Sequence, residues 1–215
     1  MAITYTLGGL KAKIADDLAR SDLTTQIEDA ITTSIAFFQK KRFWFNETRS
    51  KTFATVAAQS AYTSSDDSDI PLFLDLDAVF LADSTDNRFE LDVINPAEMH
   101  ILLGNGAASG QPTCYAYFDK AFLFHPIPDA AYTITPMGHY LLPAPASDSE
   151  ADNAWMTEGF EMIRSHAKAY LYTHVIKNAP DKRAEMIDAT ASGKNSLDEA
   201  TSRKKATGRI RPTQF

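Results

Sequence analysis

Five histidines, one cysteine and two close-set groups of aspartates are the side chains of this 215-residue sequence whose types could do chemistry. His100, His125, His139, His166 and His174 include no His-Glu-x-x-His and no pair four apart on a helix, the spacing that lets two imidazoles grip one metal. His166 and His174 are eight apart, about 80° around a helix, and read as packing or surface residues. Asp66, Asp67 and Asp69 lack the alternating ligands, glycine and terminal glutamate of a calcium loop. Asp75 and Asp77 point to one side if their segment is extended, and form the one candidate acid–base pair. An acidic surface loop explains them as well. The run Gly104-Asn-Gly-Ala-Ala-Ser-Gly110 follows an expected helix rather than a strand, so it reads as a flexible loop and not a phosphate cradle. Cys114 is the only cysteine, which excludes an internal disulfide and a multi-cysteine zinc site. No catalytic, cofactor-binding or metal residue is assigned, and the chain is not expected to be an enzyme.

The elements that carry these residues change period along the chain. Leu7, Leu10, Ile14 and Leu18 predict a first helix with Thr6 as its cap. Thr25 and Glu28 have the spacing of a capping box for a second helix. Its stripe is Ile27, Ile31, Ile35 and Phe38, and Ala30, Phe37, Lys41 and Trp44 lie beside it. This apolar face is wider than one small partner helix needs.

From Lys51 to Val56 the pattern alternates like a strand, with a second short segment around Tyr62. Ser64 to Asp69 is a polar loop. Ala78–Ala82 and Arg88–Val93 predict a hairpin closed by Asp83 to Asn87. Asn95 and Pro96 open a short helix. Strands are expected at 113–118, 121–125 and 131–135. A helix over about 157–177 then carries Phe160, Ile163, Ala167, Tyr170, Leu171 and Val175 on one face, and Pro180 starts another. Residues 181 to 205 are helix-compatible but poor in large apolar groups, so that helix must lie on a surface or be held by another chain.

Composition and charge narrow the classes. Hydrophobic residues make up 44% and charged residues 23%, a globular balance that excludes wholesale disorder. No run of 18 uncharged apolar residues is present, so no membrane span is expected. The N-terminal residues lack a basic flank before an apolar core, and no secretory signal is expected. The net charge is −7. Arg203, Lys204, Lys205, Arg209 and Arg211 crowd the last thirteen residues with no acid among them. Without those five, 16 basic residues face 28 acidic ones and the body stands at −12. Such a body repels phosphate, whereas the tail alone suits DNA or an acidic protein surface.

Several stretches go further. The second helix ends in Arg42-Phe-Trp-Phe-Asn-Glu47 and runs into Thr52-Phe-Ala-Thr55 and then Tyr62. Downstream stand Phe124-His-Pro-Ile-Pro-Asp129, Tyr132-Thr-Ile-Thr135 and Tyr140, then Ser147 to Trp155 leading into the Phe160 helix. In order and wording these segments resemble the head–tail adaptor (connector) proteins of tailed bacteriophages, which dock beneath the portal. The resemblance covers roughly residues 20 to 178. Ser64 to Pro71 is longer and more acidic than the family pattern.

The fold class expected on this basis is α+β: a bundle in which N- and C-terminal helices pack together, an inserted small antiparallel β domain, and an extended basic C-terminal tail. The expected boundaries are 1–48 and 149–202 for the bundle, 49–148 for the β-rich insertion and 203–215 for the tail. The resemblance implies a virion structural protein at the head–tail junction, made in the bacterial host cytoplasm. It further implies a homo-oligomeric ring, commonly twelvefold, between the portal protein and the tail or nozzle proteins. Double-stranded DNA would pass through its channel without sequence-specific binding. Phe37, Phe38, Phe43, Trp44 and Phe45 are the expected subunit interface. Arg203, Lys204, Lys205, Arg209, Ile210, Arg211 and Phe215 are the expected portal-docking residues, the cations steering and the apolar side chains anchoring. A tail stopper or terminator protein is the neighbouring alternative. In a different class stands a nucleic-acid-binding module, whose five cations predict a log-affinity slope against log salt of about −4.5.

Overall fold

The computed structural model describes residues 5–104, 107–177 and 179–206, with the backbone alone at 205 and 206. The chain is α+β and divides into two units, residues 46–141 forming one and the flanking stretches the other.

In the helical unit, α1 spans Leu7–Leu18, and Thr6 caps it by accepting the Gly9 N–H at 3.1 Å. The chain leaves α1 through Ala19 in the left-handed conformation at φ 50°, a common way to satisfy the last carbonyls. α2 spans Thr24–Phe38 and does not use the expected capping box. The cap position falls two residues earlier, on Leu23, so Thr25 already lies inside the helix, and Leu23 turns its side chain into the core. Burying a leucine there prevails over a cap worth about 1 kcal/mol.

The helix expected over 157–177 is interrupted. α4 spans Ala154–Thr157 and α5 spans Phe160–Leu171. Gly159 lies between them, where a Cβ would stand 3.0 Å from the Trp155 carbonyl oxygen. A π-helical turn, Tyr172–Ile176, extends α5. α6 then runs from Pro180 to Ala206. Residues 203 to 206 are therefore helical rather than part of an extended tail. Arginine, lysine and alanine favour helix, and the Arg203–Glu199 pair at 2.9 Å ties adjacent turns.

Leu10, Ile14, Ile27, Ile31, Ile35, Phe38, Trp155, Phe160, Ile163 and Leu171 meet in one core. Trp155 is wholly buried, and its indole N–H donates to the Leu142 carbonyl at 3.1 Å.

The β unit holds β1 (Glu47–Thr48), β2 (Phe53–Ala54), β3 (Ala61–Tyr62), β4 (Phe73–Ala82), β5 (Arg88–Glu90) and β6 (Asp92–Val93). After helix α3 (Pro96–Gly104) come β7 (Cys114–Phe118), β8 (Ala121–His125) and β9 (Thr133–Tyr140). One sheet has the order β1-β9-β4-β5, with β2 also on β9, and the other the order β3-β8-β7-β6. The strand expected over 51–56 thus shrinks to two residues.

The expected strand over 88–93 splits at Leu91. Its side chain is buried and its N–H bonds to the Val79 carbonyl, so β5 stays on β4 while β6 crosses to β7. β6 and β7 pair in parallel, which makes the second sheet mixed rather than antiparallel.

Asp83 closes the turn between β4 and β5. Its Oδ1 accepts from the Thr85 N–H, the Thr85 hydroxyl and the Asn87 N–H at 2.7–3.0 Å. These bonds, led by the Thr85 hydroxyl, pull its carboxyl down to about 2. At α3, Asn95 Oδ1 accepts the Ala97 N–H at 2.9 Å, as a cap should. Phe53, Phe73, Val79, Leu81 and Ile134 of the first sheet share a core with Tyr62, Tyr115, Phe122 and Phe124 of the second.

Candidate functional site

The residues that could do chemistry are mostly engaged in the fold. Asn46 Nδ2 lies 3.0 Å from His139 Nε2, and both side chains are buried. Asp66 accepts the Thr63 N–H and hydroxyl at 2.8 Å each, and Asp67 accepts the Asp69 N–H at 2.9 Å. The Cys114 thiol donates to the His125 carbonyl at 3.3 Å, and burial pushes its pKa up, away from a reactive thiolate.

Asp75 and Asp77 do line one cavity of about 300 Å³, beside Leu74, Leu76, Tyr115 and Tyr117. The strand between them is not regular, because β4 shifts register against β9 between Leu76 and Ala78. Among the described residues no group of three or more His, Cys, Asp or Glu side chains is placed to hold a metal ion. No helix among them is long and apolar enough to cross a membrane.

The aromatic run after α2 is largely used inside the helical unit. Phe38, Phe43 and Phe45, expected at a subunit interface, are 2%, 0% and 7% exposed and pack within the helical unit. The rings of Phe43 and Phe45 stack at 5.3 Å, and both stand edge-on to Trp155. The surplus apolar face is thus met by α5 and the segment before it. Phe37 remains 52% exposed, and Trp44 is half-buried, edge-on to Phe45 at 5.9 Å.

Phe37 opens onto an apolar groove of about 420 Å³ between α2, α5 and α6. His166 stacks on Phe37 at 5.0 Å and 16°, and Ile187 on the far wall is 51% exposed. His174 also lines this groove, so the fold brings together two histidines that the sequence set apart. Ser34 Oγ donates to the Ala30 carbonyl at 2.6 Å and lies 2.9 Å from His166 Nδ1. With the serine proton directed at that carbonyl, its oxygen is free to accept from the imidazole. Burial holds the pKa of this imidazole below its ordinary value.

The basic end is only partly within the described residues. Arg203 pairs with Glu199, and Lys204 Nζ lies 2.9 Å from the centroid of the Trp44 ring. The side chain of Lys205, and Arg209, Ile210, Arg211 and Phe215, lie outside the described residues. Sequence reasoning missed Thr201, the one buried side chain of α6 among those described, which accepts the Trp44 N–H at 3.2 Å. A threonine in a polar helix gives no periodic signal, and its partner lies 157 residues away.

No curated protein matches the chain. A family model does, over residues 5–213, and its description is SU10 adaptor protein. That span takes in both units and nearly every residue described above, and the chain belongs to the SU10 adaptor protein family, a family of phage adaptors.

Proposed function

We propose that the protein is a structural component of the virion, a head–tail adaptor that forms a ring between the portal and the tail and extends the DNA channel. The observation that carries this reading is the family match from residue 5 to residue 213. Physical features support it. A closed ring needs two different lateral surfaces on every copy, and Phe37 and Trp44 are the aromatic residues of the expected interface that keep exposed surface. A body at −12 suits a channel through which DNA passes without sticking. The portal-docking group remains Arg203, Lys204, Lys205, Arg209, Ile210, Arg211 and Phe215, with the cations steering toward an acidic portal surface and Ile210 and Phe215 as anchors.

Negative-stain imaging of the purified protein with and without portal tests the reading. Rings seated on the portal are expected, and a chain ending at Ser202 should keep its fold but fail to dock. Portal that stays bare at saturating protein overturns the adaptor reading. Undiminished docking of the shortened chain overturns the role of the basic end.

A further inference from the structure

α6 reaches its C-terminal turns with little apolar surface to hold it. Thr201 is buried and Leu197 is partly buried against the helical core. Two further contacts reach Trp44. Its backbone N–H donates to Thr201 Oγ1 at 3.2 Å, while the same hydroxyl donates to the Leu197 carbonyl at 2.8 Å. Three residues on, along the same helix face, Lys204 Nζ covers the Trp44 ring. Arg203 beside it is paired with Glu199. Two cations of the proposed docking group are thus engaged with the protein's own atoms.

We propose that Trp44 is an internal receptor for Lys204 that holds the last turns of α6 against the helical unit, and that an acidic partner surface frees them by competing for the cations. This inference rests on the docking reading above. An ammonium over an indole is attracted by the ring quadrupole. Carboxylates presented together attract Lys204 and Arg203 at once, so the partner's field acts on both cations while the indole holds one. The exposed Arg203–Glu199 pair holds its arginine only weakly. Once Lys204 leaves, α6 keeps one of its two ties to Trp44, and a face of the indole is uncovered. Release therefore adds indole surface beside the freed cations. The contact therefore masks the docking patch in the free protein.

Amide hydrogen exchange on the isolated full-length chain tests this without portal, so its failure is distinct from failure to form a ring. Lys204→Met keeps the aliphatic stem and removes the charge at an exposed position. It should speed exchange across residues 195–206 by about two- to fivefold and leave α5 unchanged. Trp44→Leu should give the same pattern, and the double variant should exchange no faster than either single one. Poly-glutamate at low salt should speed exchange of the same amides in the wild type and add nothing in Lys204→Met. A Lys204→Met protein that exchanges like the wild type overturns the tie, even if Trp44→Leu does not fold. Wild-type exchange that is indifferent to poly-glutamate overturns the release.

Discussion

Arg164 grips Asp17 with two nitrogens, Nε and Nη2 each donating at 2.8 Å to a different carboxylate oxygen. Lys168 Nζ donates to the same carboxylate at 2.9 Å, and Lys13 approaches at 3.6 Å. One aspartate near the end of α1 thereby fastens two positions of α5 lying one turn apart. The fork geometry is one that arginine supplies and lysine does not.

Asp17→Asn should lower the stability of the helical unit by about 1–3 kcal/mol, since it removes the carboxylate shared by two partly buried cations, of which Arg164 keeps Glu161 at 2.9 Å. Burial alone would raise the Asp17 pKa, but the hydrogen bonds from Lys168 and Arg164 outweigh it and hold the carboxyl below the usual 3.8. The stabilisation is therefore present above that ordinary value and is lost as pH falls through the lowered one. Urea titrations followed by far-UV circular dichroism between pH 7 and about 2.5 should show a steep acid decline that flattens in Asp17→Asn. Parallel curves for the two proteins would contradict the linkage.

Gly138 sits in β9 opposite the irregular stretch of β4. A Cβ there would stand 2.3 Å from the Asp75 carbonyl oxygen and 2.9 Å from the Leu76 Cα. Both are backbone atoms, so the strands must part. Gly138→Ala should cost about 3 kcal/mol or more, read as a lowered urea midpoint. Gly104→Ala, with nothing within 4 Å of the new Cβ, should stay within about 0.5 kcal/mol of the wild type.

His166 predicts a second pH dependence at milder acidity. Burial lowers its pKa from 6.5, so as pH falls below that value the unfolded chain takes up a proton that the folded one resists. Stability is complete above about pH 6.5 and declines below it. His166→Phe, which keeps an aromatic ring against Phe37, should shrink the drop in urea midpoint between pH 7.5 and 5.5. An unchanged drop would mean that other groups carry it.

What could be foreseen in the sequence follows from the range of the forces involved. Thr6, Asn95 and the polar turn at Asp83 act over two to four residues, and the local pattern announced each of them. The early start of α2 and the crossing of β6 were hidden because distant burial decided them, at Leu23 and at Leu91. The aromatic run was visible as surplus apolar surface, but periodicity cannot say who covers it. Trp155 covers Phe43 and Phe45 from more than a hundred residues away. The tie between Trp44 and Lys204 was equally hidden. Read alone, Lys204 is one basic residue in a row of three, and only the path of α6 brings it onto an indole.

The interruption of the helical unit by residues 46–141 sets an order of events during synthesis. The β unit is continuous in the chain and can collapse as soon as it clears the ribosome. α1 and α2 emerge first yet find their packing partner last, since Ser34 waits for His166, 132 residues later. At typical elongation rates that wait is on the order of ten seconds. Throughout it Ile27, Ile31, Ile35 and Phe38 stand bare on a nascent helix. They mark the stretch of the nascent chain that chaperones would be expected to shield.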